Sequence, residues 1–402
     1  MKINKNDYLY DVVDKYPKTI DYFIEKGIDQ VENKKLLHTL GKKIKIEVLL
    51  KSKKLNQALF LKEINEIVED SNIDFTLNEK PKNKDAKINV TGVLPCPIRL
   101  PLLESFDKWL VDNNKNNLIN YELKAASMGV DWLKDNMEEN TLSDIFLSAG
   151  FDLFFDDRYI NQFKKKKVFK DLTNVKKYNR DFDNDYISLK DPNGDYSIIG
   201  VVPAVFLIND DVLKNKKVPN SWKELINGDY DNSVSLPIGD FDLFNAILLN
   251  IYKDFGLDGV RKLARTLLKA MHPSQMVKSD RLKEQPAITI MPYFFTKMAK
   301  FGGPMNAIWP KDGAIISPIF MLTKKEKEND IDDIAKYFSS KEVGEILSHK
   351  GLFPSTHPNV DNNIDKDNKY KWIGWDYINN NDIGNILDIC LKEFKKESEK
   401  NI

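Results

Sequence analysis

The chain has 402 residues, of which 42% are hydrophobic and 30% charged, so it can build a sizeable core and is not a disordered protein. Its 61 Lys and Arg residues balance 61 Asp and Glu residues, which argues against a nucleic-acid partner because such proteins usually carry a basic face. Two cysteines exclude a disulfide framework. No two of the four histidines have the i, i+4 spacing of a helical metal-binding motif, which argues against a metal centre. We therefore predict neither a metal nor a cofactor.

The first part of the chain, residues 1–72, is predicted to be a small all-α domain. Its apolar residues recur at helical spacing, as Leu9 and Val13 do. Residues 73–87 are polar and nearly free of aromatic and branched side chains, which is typical of a linker. Residues 88–402 then form the second domain.

The second domain alternates short β-rich runs with longer helical patterns, which predicts an α/β fold with largely parallel sheets. In such sheets ligands bind beyond the carboxyl ends of strands, where helices begin. The candidate site residues therefore follow predicted strands.

The first candidate junction follows the run INVTGVL. Pro95 and Pro97 stiffen this turn, while Cys96 and Arg99 supply a thiol and a cation ahead of a helix predicted to begin near Pro101. We predict that Cys96 and Arg99 bind the ligand. A structural turn with a buried thiol and a surface arginine is an equally good interpretation.

Small residues follow two further strands. Ser148 and Gly150 come after the run SDIFL, and Ser127 comes after NYELKAA. We predict these three as ligand-binding residues, because small side chains let a ligand approach the backbone. Many strand ends have the same pattern without binding anything.

Two more junctions carry larger side chains. Asp240 and Phe241 follow the run SVSLPI, and Tyr293 follows AITIMP. We predict that the two rings line a cleft and that Asp240 selects the charge of the ligand. Helix capping by Asp240 and core packing of the rings are the structural alternatives.

Catalytic motifs are not recognisable in the sequence. It has no Gly-x-Ser-x-Gly, no phosphate-binding loop and no glycine-rich dinucleotide signature after a strand. We therefore predict that the protein is not an enzyme.

Two segments, residues 200–237 and 309–356, carry a resemblance to a known family. The first includes the Asn209-Asp210 turn and the helix start VPNSWKEL, and the second includes WPKDGA, FSSKEVGEIL and the turn GLFP. Their order and spacing resemble the extracellular solute-binding proteins of ABC transporters, which have the type II periplasmic-binding-protein fold.

This resemblance implies two hinged lobes with two parallel or mixed sheets. Lobe one would comprise residues 88–195 and 305–402, and lobe two residues 200–300. The chain would cross between them near Ile198–Phe206 and Asn306–Ile316, and a small solute would be clamped as the lobes close.

The implied function is small-solute binding, as the substrate-binding component of an ABC transporter or as a cytoplasmic carrier or sensor. Some relatives of the fold synthesise cofactor precursors with a cysteine-bearing loop, so an enzyme using Cys96 is the alternative. Ferric-ion binders of the family commonly use neighbouring tyrosines. Because Tyr293 is followed by two phenylalanines, we do not expect bare ferric ion as the ligand.

Residues 1–70 resemble a small helical domain of unknown function that also precedes iron–sulfur repair proteins. The segments DVV, YP and FIEKG carry this resemblance, but the cysteine that often follows Gly27 is absent. We therefore expect no redox or metal role for this domain.

The start of the sequence lacks an apolar stretch of signal-peptide type, and no window is long enough to span a membrane. We expect a cytoplasmic protein, or an exported one if a leader has been removed. The expected partners are a small-molecule solute and an ABC permease or another protein bound by the helical domain. Neither nucleic acid nor a membrane span is expected, and the protein is predicted to be a monomer.

Overall fold

The chain divides into two compact units, Met1–Lys82 and Asn83–Ile402. The structure is a computed structural model, and it describes residues 3–401 except for 17–18, 21–22, 24–27, 29–30, 32–36, 54–56, 58–59, 62–63, 66–67, 69–82, 84, 126–133, 135–137, 139–141, 215, 239–240, 272–275, 277–278, 282–283 and 299–302. The predicted linker falls largely outside the described residues.

The first unit contains helices α1 (Leu9–Lys15) and α2 (Ile46–Ser52). Their apolar faces contribute to the core of the first unit, whose buried members include Phe23, Phe60 and Ile64. This core is separate from that of the second unit. The helical character predicted for this region is therefore confirmed in its described part.

The second unit contains ten strands and ten helices in its described part. The strands are β1 (Ile88–Leu94), β2 (Ile119–Ala125), β3 (Ile145–Ser148), β4 (Ser197–Asn209), β5 (Val234–Leu236), β6 (Leu267–Ala270), β7 (Ile288–Pro292), β8 (Met305–Ile308), β9 (Ala314–Thr323) and β10 (Tyr370–Lys371). The helices are α3 (Cys96–Asp112), α4 (Phe151–Phe155), α5 (Asn161–Lys165), α6 (Asp210–Leu213), α7 (Trp222–Asn227), α8 (Phe241–Thr266), α9 (Glu328–Phe338), α10 (Lys341–Glu345), α11 (Trp375–Asn380) and α12 (Ile383–Ser398).

The strands form one ten-stranded mixed sheet in the order β2-β1-β3-β9-β4-β7-β5-β6, with β8 beside β4 and β10 beside β9. The first part of β4 pairs with β9, and its second part pairs with β7 and β8. We call the β2-β1-β3-β9 side of β4 lobe one and the β7-β5-β6 side lobe two. The predicted α/β fold of the periplasmic-binding-protein type is confirmed, but the two expected sheets are joined through β4 into one.

Strands β4 and β9, which pair with each other, are buried along their whole length. All thirteen residues of β4 and all ten of β9 are buried. Helices and loops therefore cover both faces, which explains why the two sequences read as apolar runs without alternation. Helix α8 is broken at Gly256, whose φ of 62° and ψ of −162° are not helical.

Helix α3 begins earlier than predicted. The structure starts it at Cys96, with Pro97 in its first turn and Pro101 inside the helix, whereas the sequence predicts a rigid turn up to Pro101. The earlier start is possible because the first N–H groups of a helix have no partner within it, so Pro97 loses nothing there. Among the described helices, none combines the length and apolarity that a membrane crossing needs.

Candidate functional site

The starts of α4 and α8 meet where lobe one faces lobe two. Gly150, which precedes α4, has a φ of 127°, and a Cβ at this position would lie 2.7 Å from Asp242 Oδ1. The backbone conformation therefore favours glycine here, and any larger residue would also have to displace the Asp242 carboxylate. The junction after β3 thus lies directly against the junction after β5.

Carboxylates from both lobes gather at this contact. Asp152 Oδ1 lies 3.6 Å from the same Cβ position, and Asp152 Oδ2 accepts a hydrogen bond from Lys134 Nζ at 2.7 Å. One of the two carboxylates is thus neutralised by a cation of lobe one. The contact between the lobes is polar and charged at this end.

A second contact between the lobes is aromatic. The ring of Phe294, which follows β7, stacks on that of Phe353 with centroids 5.9 Å apart and planes 14° apart. A Cβ on Gly351 would lie 2.1 Å from Ile98 Cγ2 and 2.5 Å from Phe353 Cδ2, so the segment carrying Phe353 is packed close to the start of α3. The predicted junctions after β1 and β7 therefore approach each other through Phe353.

We call these two contacts, Gly150 with Asp242 and Phe294 with Phe353, the seam. At the second of these contacts, side chains of the two lobes touch directly. A solute can therefore lie between Phe294 and Phe353 only when their rings move apart. A cavity of about 270 Å³, lined by Lys87 and Leu118, lies near the beginnings of β1 and β2.

An aromatic row runs beside the seam. Tyr293 packs edge-on against Trp309 with centroids 5.3 Å apart, and Trp309 packs in the same way against Tyr370, also at 5.3 Å. Two residues further along the chain, Trp372 lies 5.6 Å from Phe151, the first residue of α4. We call these five residues the aromatic row.

Polar groups in the aromatic row differ in their hydrogen bonding. Trp309 Nε1 donates to the carbonyl of Lys369 at 2.6 Å. The hydroxyl of Tyr370 and the indole nitrogen of Trp372 are buried and have no partner among the described residues. Burial raises the pKa of Tyr370 well above its ordinary value, and the neighbouring Asp181 carboxylate and Tyr293 add to this shift.

The predicted site residues are distributed as follows. Ser148 is fully buried at the end of β3, and its Oγ donates to the carbonyl of Ala149 at 2.9 Å. Arg99 is 7% exposed, and its Nε donates to the carbonyl of Leu123 at 2.7 Å, which ties α3 to β2. Tyr293 lies in the aromatic row.

Four further predicted residues are only partly described or not described. Cys96 and Phe241 are the first residues of α3 and α8. Ser127 and Asp240 lie outside the described residues. The structure therefore places Gly150 against the start of α8. Separately, Phe353 lies between Phe294, which follows Tyr293, and the start of α3.

Sequence reasoning missed Trp309, Tyr370 and Trp372. The only signal was the aromatic segment YKWIGW after a long polar stretch. Its position depends on the parallel pairing of Tyr370 with Ala314, residues far apart in the chain. Among the described residues, no group of His, Cys, Asp and Glu side chains could hold a metal ion.

A family model of bacterial extracellular solute-binding proteins matches residues 140–381, more than half of the chain. The chain belongs to this family. Residues 3–61 of this solute-binding protein match a domain of unknown function, DUF1858. Both findings confirm the family resemblances predicted from the sequence. No curated protein matches the chain.

Solved structures of similar fold include the periplasmic binding protein P5PA, at 16% identity and a TM-score of 0.56, covering 77% of this chain and 99% of that one. The ferric binding protein from Campylobacter jejuni has 13% identity, a TM-score of 0.54, and coverage of 77% and 99%. The apo ferric ion-binding protein A from Pasteurella haemolytica has 12% identity, a TM-score of 0.56, and coverage of 77% and 97%.

At these identities, the structural likeness shows the fold of this solute-binding protein. The family and the fold together support small-solute binding on a periplasmic-binding-protein scaffold. Neither finding supports the alternative of an enzyme that uses Cys96.

Proposed function

We propose that this protein binds a small organic solute at the seam and closes its lobes around it. The contact of Gly150 with Asp242 carries this proposal, because it joins the carboxyl end of a strand in lobe one to the start of a helix in lobe two. In α/β proteins, ligands bind beyond the carboxyl ends of the strands, where helices begin. The seam is therefore the place where one solute can contact both lobes.

Closure needs a solute that prefers the closed state. A ligand shifts the equilibrium only by the difference between its affinities for the open and closed forms. A solute held by both lobes binds the closed form more tightly, since in the open form it contacts only one of the two lobes. The stacked rings of Phe294 and Phe353 would separate and re-form in each cycle.

The sequence around Tyr293 favours an organic solute over bare ferric ion. Phe294 and Phe295 follow it, and neither ring supplies the oxygen that a hard cation needs. The ferric-binding proteins of similar fold share too little sequence to extend their ligand to this chain.

A bound solute would serve a partner protein. Solute-binding relatives deliver to ABC permeases, and we propose an ABC permease or a cytoplasmic partner for this chain, with the helical unit 1–72 as the second docking element. The cytoplasmic location and the monomeric state stay predictions, which cell fractionation and light scattering test.

Three measurements test solute binding. Native mass spectrometry of freshly purified protein should show a co-purified small molecule, and a broad solute panel should contain at least one that raises Tm. A solute at about 100 times its Kd stabilises the protein by about 2.7 kcal/mol. The same solute should lower the radius of gyration in small-angle scattering.

The proposal fails if no solute class raises Tm or compacts the protein. It also fails in its choice of an organic ligand if ferric citrate gives tight binding with the visible absorption band of an iron–phenolate complex.

A further inference from the structure

Two buried hydrogen-bond donors beside the seam have no described partner. Tyr370 and Trp372 are half-buried residues, yet the Tyr370 hydroxyl and the Trp372 indole nitrogen are buried and unpaired among the described residues. Burying an unsatisfied donor costs free energy, so native proteins pair nearly all of them. Nearby tryptophans follow this rule, since Trp309 and Trp375 donate to carbonyl oxygens at 2.6 and 2.9 Å.

Aromatic rings pack against the side chains that carry these two donors. The ring of Tyr370 lies 4.7 Å from that of Phe182 and 5.3 Å from that of Trp309. The ring of Trp372 lies 5.6 Å from that of Phe151, which adjoins Gly150 at the seam. A solute group that accepts from these donors is therefore carried on an apolar or aromatic body.

The charges nearby disfavour an anion. The Asp181 carboxylate interacts with Tyr370 and, with burial, keeps its hydroxyl protonated by raising its pKa. Lys371, which lies between the two donors in sequence, is paired with Asp254 at 2.6 Å. An uncharged acceptor oxygen avoids repulsion by Asp181 and needs no free cation.

We propose that Tyr370 and Trp372 donate to a neutral carbonyl oxygen of the solute, such as an amide oxygen, carried on an aromatic or apolar body. This inference rests on the proposed function and names the chemical class of its solute. Tyr370 and Trp372 act here as specificity residues, because both can donate to an acceptor oxygen and the Trp372 indole, which only donates, cannot pair with an ammonium group.

Three matched probes test this class with the full chain. Hydrocinnamamide, hydrocinnamate and phenethylamine share a ring and differ in offering a neutral acceptor, an anionic acceptor and no acceptor. Isothermal titration calorimetry should show that the amide binds about tenfold more tightly than the amine and also more tightly than the acid. Equal affinities, or the tightest binding by the acid or the amine, would overturn the proposal.

Two variants connect the preference to the donors. Tyr370→Phe keeps its ring, whereas Trp372→Phe keeps an aromatic but smaller side chain. Each should weaken amide binding about fivefold more than it weakens amine binding. A loss that is equal for the amide and the amine would contradict the assignment.

The stability of the unliganded protein distinguishes a ligand donor from a structural one. Tyr196 is the matched control, because its hydroxyl donates to the carbonyl of Phe154 at 3.0 Å. Tyr196→Phe should lower Tm, whereas Tyr370→Phe should leave it unchanged or raise it. An equal loss in both variants would show that the Tyr370 hydroxyl already has a structural partner, and the proposal would be wrong.

Failure of this inference differs from failure of the proposed function. If other solutes raise Tm while none of the three probes binds, the carbonyl assignment is wrong and solute binding stands. If no solute of any class raises Tm, solute binding itself is wrong.

Discussion

Gly150 is the residue on which the contact between the lobes depends most directly. Its φ of 127° is strained for any residue with a Cβ, and that Cβ would lie 2.7 Å from Asp242 Oδ1. We expect Gly150→Ala to lower the free energy of unfolding by at least about 2 kcal/mol, measured by urea denaturation.

Gly194 is the control for the backbone part of this effect. It has a φ of 66°, but nothing lies within 4 Å of its Cβ position. Gly194→Ala should therefore cost only about 1 kcal/mol for the left-handed backbone. Equal losses in the two variants would show that the contact with Asp242 does not matter.

Cys390 should be unreactive in the folded protein. It is fully buried, and burial raises the pKa of its thiol to about 12. Because the thiolate is the nucleophile, alkylation at pH 8 should be very slow. In a Cys96→Ser variant, which leaves Cys390 as the remaining thiol, mass spectrometry should detect iodoacetamide labelling only after unfolding in urea. Labelling of the native protein would contradict this burial.

Single residues were the hardest part of the site to predict from the sequence. The sequence could place Ser148 and Gly150 at a strand end, because small residues follow an apolar run there. It could not place Tyr370 and Trp372, because their place follows from the pairing of β10 with β9. No local pattern encodes a pairing between segments so far apart.

Helices α8 and α12 are joined by a charge pair that gives a pH-dependent stability. Arg261 Nε donates to Glu393 Oε1 at 2.7 Å, and this hydrogen bond lowers the pKa of Glu393. A carboxyl whose pKa is lower in the folded state stabilises that state above its ordinary value of 4.5. The contribution is lost as the pH falls through the lowered pKa.

We expect Glu393→Gln to lower Tm at pH 7 and to lower it less near pH 3. Differential scanning calorimetry across this pH range measures the difference. Glu399→Gln, at an exposed position just beyond the same helix, is the control and should change Tm little at either pH. A loss for Glu393→Gln that is the same at both pH values would contradict the role of this pair.

Elements were predicted better than single contacts. The apolar run of β4 predicted a strand, and the structure confirms the strand and shows that all of its residues are buried. The start of α3 was predicted too late, because two prolines read as a rigid turn. Proline breaks a helix only where an N–H is needed, and the first turn does not need one.

The two compact units should unfold independently. Their apolar cores form separate clusters, one around Phe23 and Phe60 and the other around Phe154 and Phe320. We expect residues 83–402, produced alone, to melt at the same temperature as the larger transition of the full chain. Calorimetry measures this, and a fragment that is unfolded or melts many degrees lower would contradict it.

The shared strand β4 limits how the lobes can move. Its backbone is hydrogen-bonded to β9 in one lobe and to β7 in the other, so neither lobe can slide past its neighbour without breaking a ladder. Opening must then bend β4 itself, and a continuous hydrogen-bonded strand resists bending and returns to its original form. The lobes of such a molecule should open by small amplitudes and rapidly, and should release the solute quickly, in contrast to lobes that are joined by a flexible linker.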